Sequence, residues 1–220
     1  MVTFNHIRLP ELDFDLVSDT TENGRTYLTP EGNRYKSITT VLSALSKEHI
    51  QEWRNRVGEE EANRVSGAAS RRGTAVHNIF EKYILNELNE FKIKTMMPNI
   101  KELFIQLRPH IDSFVGNVYC VEQALYSDKM KVAGRVDLIA EWEGELAIID
   151  FKTSTKEKQE ENIQNYFMQC TAYSIMFEER TGTPINKIVV AIAVEESNSA
   201  QIFVRNKNNY TKPLMDLIES

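Results

Sequence analysis

Side chains alternate between apolar and polar most clearly between residues 130 and 153. Val136, Leu138 and Ala140 share one parity of a first run, and Ala147, Ile149 and Phe151 share the matching parity of a second. Between the runs lies Trp142-Glu143-Gly144-Glu145, which predicts a two-residue hairpin loop at Glu143-Gly144. Pairing Trp142 with Glu145 sets the register and places all the apolar residues on one face. The opposite face then carries Asp137 directly across from Asp150, and Arg135 across from Lys152. Opposed carboxylates repel, so removing either charge is expected to relieve strain unless a divalent cation sits between them.

Elsewhere the pattern changes period. Arg25–Leu28 and Arg34–Ile38 flank Pro30-Glu31-Gly32-Asn33 and predict a small hairpin. From about Thr39 to Leu88 the spacing is mainly helical, with expected breaks at Ser66-Gly67 and Arg72-Gly73 and a helix N-cap at Thr74. Pro98 opens a helix running to about Phe114. Strands follow at about Val118–Ser127, Met130–Glu141 and Glu145–Thr153, then a helix from about Glu160 to Arg180 that ends at Gly182. Ile188–Glu195 and Gln201–Arg205 predict two more strands, and Thr211–Ile218 a terminal helix. With no repeat, low-complexity tract or linker, the 220 residues predict a single α/β domain. Its first part, about residues 1–115, is mainly helical with a small hairpin. Its second, about 116–220, is a sheet core.

Composition narrows the class little. Hydrophobic content of 41% and charged content of 26% are ordinary for a globular protein. No apolar run is long enough to span a bilayer, and the acidic N-terminal stretch is unlike a signal or transit peptide, so a cytoplasmic protein with no membrane partner is expected. Cys120 and Cys170 are too few for an iron–sulfur cluster. A net charge of −6 neither advertises nor excludes a nucleic-acid partner, because basic residues recur near the candidate chemistry.

That chemistry centres on Asp137, Asp150 and Lys152: carboxylates for a hard cation and a lysine pointing into the same site. His77 and Glu81, one helical turn apart, could contribute a ligand and a residue that orients it. Arg71 and Arg72 beside the expected helix start would make a phosphate-binding edge. Glu122 reads equally as a solvent-facing strand residue or an auxiliary site carboxylate. Tyr35, Trp53, Arg54 and Arg56 read equally as packing and surface residues or as groups that stack bases and grip a strand.

The order of these blocks is more specific than any one of them. Gly73-Thr74-x-x-His77-x-x-x-Glu81, Glu122, Gly134-Arg135-Val136-Asp137, Asp150-Phe151-Lys152 and Gln169-x-x-x-Tyr173 together resemble the RecB-like branch of the PD-(D/E)XK nuclease superfamily. Upstream, Tyr35–Leu42 and Trp53-Arg54-x-Arg56 are similar to the N-terminal part of the mitochondrial genome maintenance exonuclease group and its phage relatives. The resemblance covers about residues 33 to 205. It implies a restriction-endonuclease-like core, a central mixed sheet flanked by helices, with a helical N-terminal portion. It also implies Mg²⁺ or Mn²⁺ held by His77, Asp137, Asp150 and the Phe151 carbonyl, and a catalytic Lys152; Glu122 stands beside these as a catalytic candidate. Gln169 and Tyr173 would bind substrate or shape the site, with Arg54, Arg71 and Arg72 on the DNA. The cysteine cluster of many RecB-like members is missing, and so is a Gly-x-x-x-x-Gly-Lys-Ser/Thr motor motif. An exonuclease on single-stranded DNA with a free end, either free-standing or a subunit of something larger, is the expectation, working with replication, recombination or repair proteins. A structure- or sequence-specific endonuclease and a silent nucleic-acid-binding module remain the alternatives.

Overall fold

Glu143 and Gly144 both take positive φ, 53° and 79°, the backbone of a type I′ turn. Trp142 pairs with Glu145 as the alternation requires. The computed structural model describes residues 2–219. In chain order its strands and helices are β1 Val17–Thr21, β2 Gly24–Leu28, β3 Arg34–Ser37, α1 Ile38–Ser43, α2 Lys47–Val57, α3 Glu59–Ile84, α4 Glu90–Lys94, α5 Pro98–Phe114, β4 Val115–Ser127, β5 Val132–Trp142, β6 Glu145–Ser154, α6 Gln164–Thr181, β7 Lys187–Val194, β8 Gln201–Asn206 and α7 Asn208–Glu219. β1 and α4 are additions to the sequence expectation. β1 is exposed along its whole length, so no buried face imposes an alternation on it.

The strands form one mixed eight-stranded sheet in the order β1-β2-β3-β5-β6-β7-β8, with β4 on β5 as a branch. One face packs on α6 and α7 through Phe167, Cys170, Tyr173, Phe177 and Leu214. The other packs on α3 and α5 through Val76, Phe80, Phe104 and Leu107. The mixed sheet flanked by helices is therefore as the sequence implied. Among the described residues, no helix is long and apolar enough to cross a membrane.

The edge of β5 positions the site. β4 covers one edge of β5 from Val132 to Trp142. On the other edge β6 pairs from Trp142 back to Leu138, while β3 pairs in parallel at Val132 and Ala133. Gly134–Asp137 are left between two strands that share an edge without meeting.

Two expectations fail here. The β5–β6 ladder follows the predicted register to Leu138↔Ile149 and then stops, so Asp137 and Asp150 do not face each other as a pair. The Phe151 N–H, instead of continuing the ladder, donates to Asp137 Oδ2 at 2.7 Å. Nor is the apolar face continuous: Leu138, Ala140, Ala147, Ile149 and Phe151 pack on the α3 side, but Val136 packs with Ile139 and Ile148 on the α6 side. Alternation is lost at Asp137, opposite which Glu122 takes a φ of 48°.

α3 is also a correction. It runs unbroken through Ser66-Gly67 and Arg72-Gly73, and Thr74 lies in its interior rather than at its start. Each interior glycine costs about 1 kcal/mol relative to alanine. Tertiary contacts offset that cost. Arg72 donates to Thr153 and Thr155 at the end of β6 and pairs with Glu195 just past β7, while Gly73 lies against Thr153.

Candidate active site

A cavity of about 390 Å³ opens at the notch in the β5 edge. Each element delivers a side chain to it for a local reason. α3 brings His77, because Val76 and Phe80 are fully buried beneath it and fix the rotation of the helix. Phe80 stacks on Phe151 with ring centroids 4.9 Å apart, which ties α3 to the strand carrying Asp150 and Lys152. The left-handed kink at Glu122 turns that carboxylate inward, and the Arg135 guanidinium donates to the Glu122 carbonyl. A non-glycine residue at positive φ is strained, and such strain collects at functional sites.

His77 Nδ1 lies 3.4 Å from Asp137 Oδ1 and 3.8 Å from Glu122 Oε1. One ligand atom from each of these residues falls within 4.8 Å of the others. An imidazole and two carboxylates are donors suited to a hard or borderline divalent ion. Glu122, which the sequence left undecided, is thus inside the site. Among the described residues no hydrogen bond or ion pair joins Glu81, expected beside His77, to that histidine, which turns to Asp137 and Glu122 instead.

Asp150 is wholly buried. Its Oδ1 accepts from Gln169 at 3.0 Å, and its Oδ2 lies 2.5 Å from Lys152 Nζ. Apart from this ion pair, Oδ2 has no hydrogen-bond partner among the described residues. A buried carboxylate paired with a lysine, beside a histidine and two further carboxylates, is a donor set that suits a divalent cation. The residues present therefore fit Mg²⁺ or Mn²⁺, with His77, Glu122 and Asp137 grouped to hold it and Asp150 beside them.

Electrostatics agree. Burial pushes the Asp150 carboxyl up to about 6, and the Asp137 charge adds to this against the opposing Lys152 ammonium. Burial would likewise raise Asp137, but His77, Lys152 and the Phe151 N–H bring it below the usual carboxylate range. Lys152 goes up: Asp150 and Asp137 outweigh the burial that favours its neutral form. Its ammonium also lies 5.2 Å from the Tyr166 ring centre.

Burial alone would lower His77, but Asp137 and Glu122 push it up from 6.5 to about 10. The stabilisation from this imidazolium is complete below pH 6.5 and lost as pH rises through about 10 in the metal-free protein. A bound ion must displace that proton. Metal affinity is therefore expected to rise with pH across this window, with proton release on binding at pH 7. Calorimetric metal titration in two buffers of different ionisation enthalpy measures it, and an identical apparent enthalpy in both would remove His77 from the ligands.

Gln169 and Tyr173 sit at the floor of the cavity rather than its mouth. Gln169 bridges Asp150 and the Tyr173 hydroxyl, and Tyr173 is 1% exposed. Gly134 is required above the ring: a Cβ there would meet Tyr173 Cε1 at 2.8 Å and Ile38 Cγ2 at 3.1 Å. These two residues shape the site by holding Asp150.

The arginines are dispersed. Arg72 is occupied by Thr153, Thr155 and Glu195, and its own helix runs on through it instead of starting there. Arg71 and Arg72 both line a groove that is separate from the catalytic cavity and is shared with Asn99 and Ile100 in the first turn of α5. Arg54 donates to Asn63 at 2.7 Å, which braces α2 on α3, and the Tyr35 hydroxyl donates to Asp128 at 2.8 Å. The Phe151 side chain is buried against Phe80, and its N–H is used by Asp137. Residues missed from the sequence line the β3 side of the cavity: Arg25, Tyr27, Ser37 and Thr39, with the last two hydroxyls 2.8 Å apart. They are brought in only by the β3–β5 pairing, which no local pattern signals.

Comparison with known proteins adds to this geometry. The model of the PD-(D/E)XK nuclease superfamily matches residues 100–212, just over half of the chain. Mitochondrial genome maintenance exonuclease 1 of Homo sapiens is 27% identical over 139 residues, covering 57% of this chain and 38% of the human protein. The protein of the same name from Mus musculus is 36% identical over 55 residues, covering 25% of this chain and 16% of its own. The chain thus spans well under half the length of the curated relatives it matches. A solved structure titled SSO0001 aligns over 78% of this chain and 70% of its own, with 14% identity and a TM-score of 0.36, too loose a likeness to carry an argument.

Proposed function

This chain belongs to the PD-(D/E)XK nuclease superfamily, and from that premise we propose that it is a metal-dependent DNA exonuclease acting on single strands with a free end. The observation that carries the reading is the notch in the β5 edge, which gathers His77, Glu122, Asp137 and Lys152 around one cavity of about 390 Å³, with Asp150 buried against Lys152. Mg²⁺ or Mn²⁺, when bound, would supply charge stabilisation at the phosphate and a water nucleophile at neutral pH.

The chain's own residues account for the rest. Lys152 keeps its proton, so it acts as a donor: its ammonium orients the attacking water and offsets charge on the phosphoryl oxygens. Gln169 holds the Asp150 carboxylate, and Tyr173 backs Gln169, so the acidic group cannot swing out of the cavity. The Phe151 N–H holds Asp137 in its rotamer. Lys152→Ala is expected to slow turnover by about 10²–10³-fold while metal binding persists. Unchanged turnover at saturating substrate would remove the lysine from the mechanism.

The preference for a free end rests on the N-terminal helices. α2 buries no residue, and α3 buries none between Ala62 and Val76, so the pair stands out from the core on the element that carries His77 into the cavity. A strand passing between these helices and the notch must enter by a terminus, and the similarity to a genome maintenance exonuclease supports this. Release of nucleotides from single- and double-stranded DNA labelled at either end, with Mg²⁺, Mn²⁺ or chelator, tests the proposal. Rapid internal cutting would favour an endonuclease, and metal-dependent binding without cleavage a silent module. Replication, recombination or repair is the proposed setting.

A further inference from the structure

On the other side of α1 from the catalytic cavity lies a second depression, of 590 Å³. Lys36, Lys129 and Lys131 line it together with Thr40. We propose that these lysines form a phosphate-binding subsite that holds the backbone of single-stranded nucleic acid beyond the catalytic notch. The proposal rests on the nuclease reading and adds a part of the strand's path that the notch does not account for.

Charge is the first observation. Among the described residues, none of the three lysines has an ion-pair or hydrogen-bond partner for its ammonium. The acidic groups nearest in the chain are already engaged. Asp128 accepts from the Tyr35 hydroxyl at 2.8 Å and from Arg180 at 2.9 Å. Glu179 accepts from Ser127 Oγ at 2.6 Å, from the Asp128 N–H at 2.9 Å and from Arg180 at 3.0 Å. Among the described residues, Glu219 at the end of α7 is the one acidic residue lining the depression. Arg180 offsets one of these two carboxylates, and Lys129 also lies beside Glu178 and Glu179. The three lysines still exceed the acidic charge that remains, Glu219 and the second carboxylate that shares Arg180.

Backbone conformation is the second, independent observation. Lys131 takes a φ of 53° in the tight turn joining β4 to β5. Glycine or asparagine occupies that conformation at lower cost. Met130 beside it is buried, and its N–H donates to Ser127 Oγ at 2.9 Å, so the turn cannot relax. A lysine held where glycine is cheaper points to a task for its side chain.

Position gives the ligand. β3 sets Lys36 opposite Val132, and the unpaired notch begins two residues later at Gly134. From Val132 to Asp137 the strand advances roughly 17 Å, the reach of a few nucleotides. Lysines spread around an open depression suit a flexible polyanion better than one small enclosed anion. Such contacts position a strand without reading its sequence.

The test is binding of a fluorescent oligothymidylate in chelator, followed against salt, for wild type, for Lys36→Ala/Lys129→Ala/Lys131→Gly, and for a control, Lys82→Ala/Lys94→Ala/Lys101→Ala. The first triple variant is expected to bind at least about tenfold more weakly at low salt, with a salt slope shallower by about 2, since each single-strand phosphate contact contributes about 0.7. The control should keep the wild-type slope. Lys131→Gly alone should raise the thermal midpoint while weakening binding, an opposition of sign that a structural role would not produce. Equal losses in both triple variants overturn the subsite, as does displacement of the oligonucleotide by free phosphate at equal phosphate concentration. A lower thermal midpoint with unchanged binding would assign the lysines to the end of α7 instead. If wild type binds and cleaves single strands and the lysine variant does both equally well, only this subsite falls; if wild type binds no single strand, the reading of the notch falls with it.

Discussion

Asp137→Asn is expected to abolish cleavage with either Mg²⁺ or Mn²⁺ and to lower the thermal midpoint of the metal-free protein. The first effect follows from charge. Asp137 sits between His77 at 3.4 Å and the Phe151 N–H at 2.7 Å, at the centre of the candidate ligand group. A hard ion held by few protein ligands cannot lose that anion without losing affinity. The second effect reverses what opposed carboxylates alone would imply. Cross-strand repulsion predicts that neutralising Asp137 stabilises the fold, but Asp137 is not opposed to Asp150. It is instead the partner that pushes His77 up to about 10 and draws its own pKa down. Neutralising it strands an imidazolium and weakens a buried hydrogen bond, a loss of about 1–3 kcal/mol. For a domain of this size that is roughly 2–4 °C per kcal/mol. Cleavage assays and thermal melts in chelator measure the two effects separately. A variant that cut DNA near the wild-type rate would refute the site. One that melted higher would return the argument to carboxylate repulsion.

A closed single-stranded circle is expected to survive conditions that consume the same sequence in linear form. The notch itself places no demand for an end: it is a gap between β3 and β6 on one strand edge, open to any phosphodiester that reaches it. On the proposed reading the demand comes from α3, which brings His77 to the gap from one side and carries α2 with it. Arg54 braces that helical pair through Asn63, so opening it wide enough to admit a continuous circle breaks packed contacts. Blunt duplex should be attacked little for the same reason of width. Binding should weaken steeply with salt but vary little with base sequence, because phosphate contacts and stacking carry no base code. Incubating equimolar circle and linear forms and resolving the products measures the ratio directly. Prompt linearisation of the circle would eliminate threading and promote an endonuclease.

What the sequence determined by itself was whatever rests on local chemistry. The Glu143-Gly144 turn and the alternation around it were enough to place β5, β6 and their register as far as Leu138↔Ile149. Pro98 and Gly182 marked the ends of α5 and α6, because caps and breakers act within a few residues. The order of the His77, Asp137, Asp150–Lys152 and Gln169–Tyr173 blocks was enough to suggest the superfamily that the family model matches. Only the tertiary structure decided the rest. The continuity of α3 depended on Arg72 reaching Thr153, Thr155 and Glu195, partners 81 to 123 residues away. Glu122 became a site residue through a backbone kink, and Glu81 was passed over because the packing of Val76 and Phe80 turns His77 toward β5. Above all, the gap at Gly134–Asp137 exists because β3 and β6 claim opposite ends of the same strand edge. Side-chain periodicity reports which face of a strand is buried, but it carries no information about which strand lies on which edge, and it is the edge that makes this site.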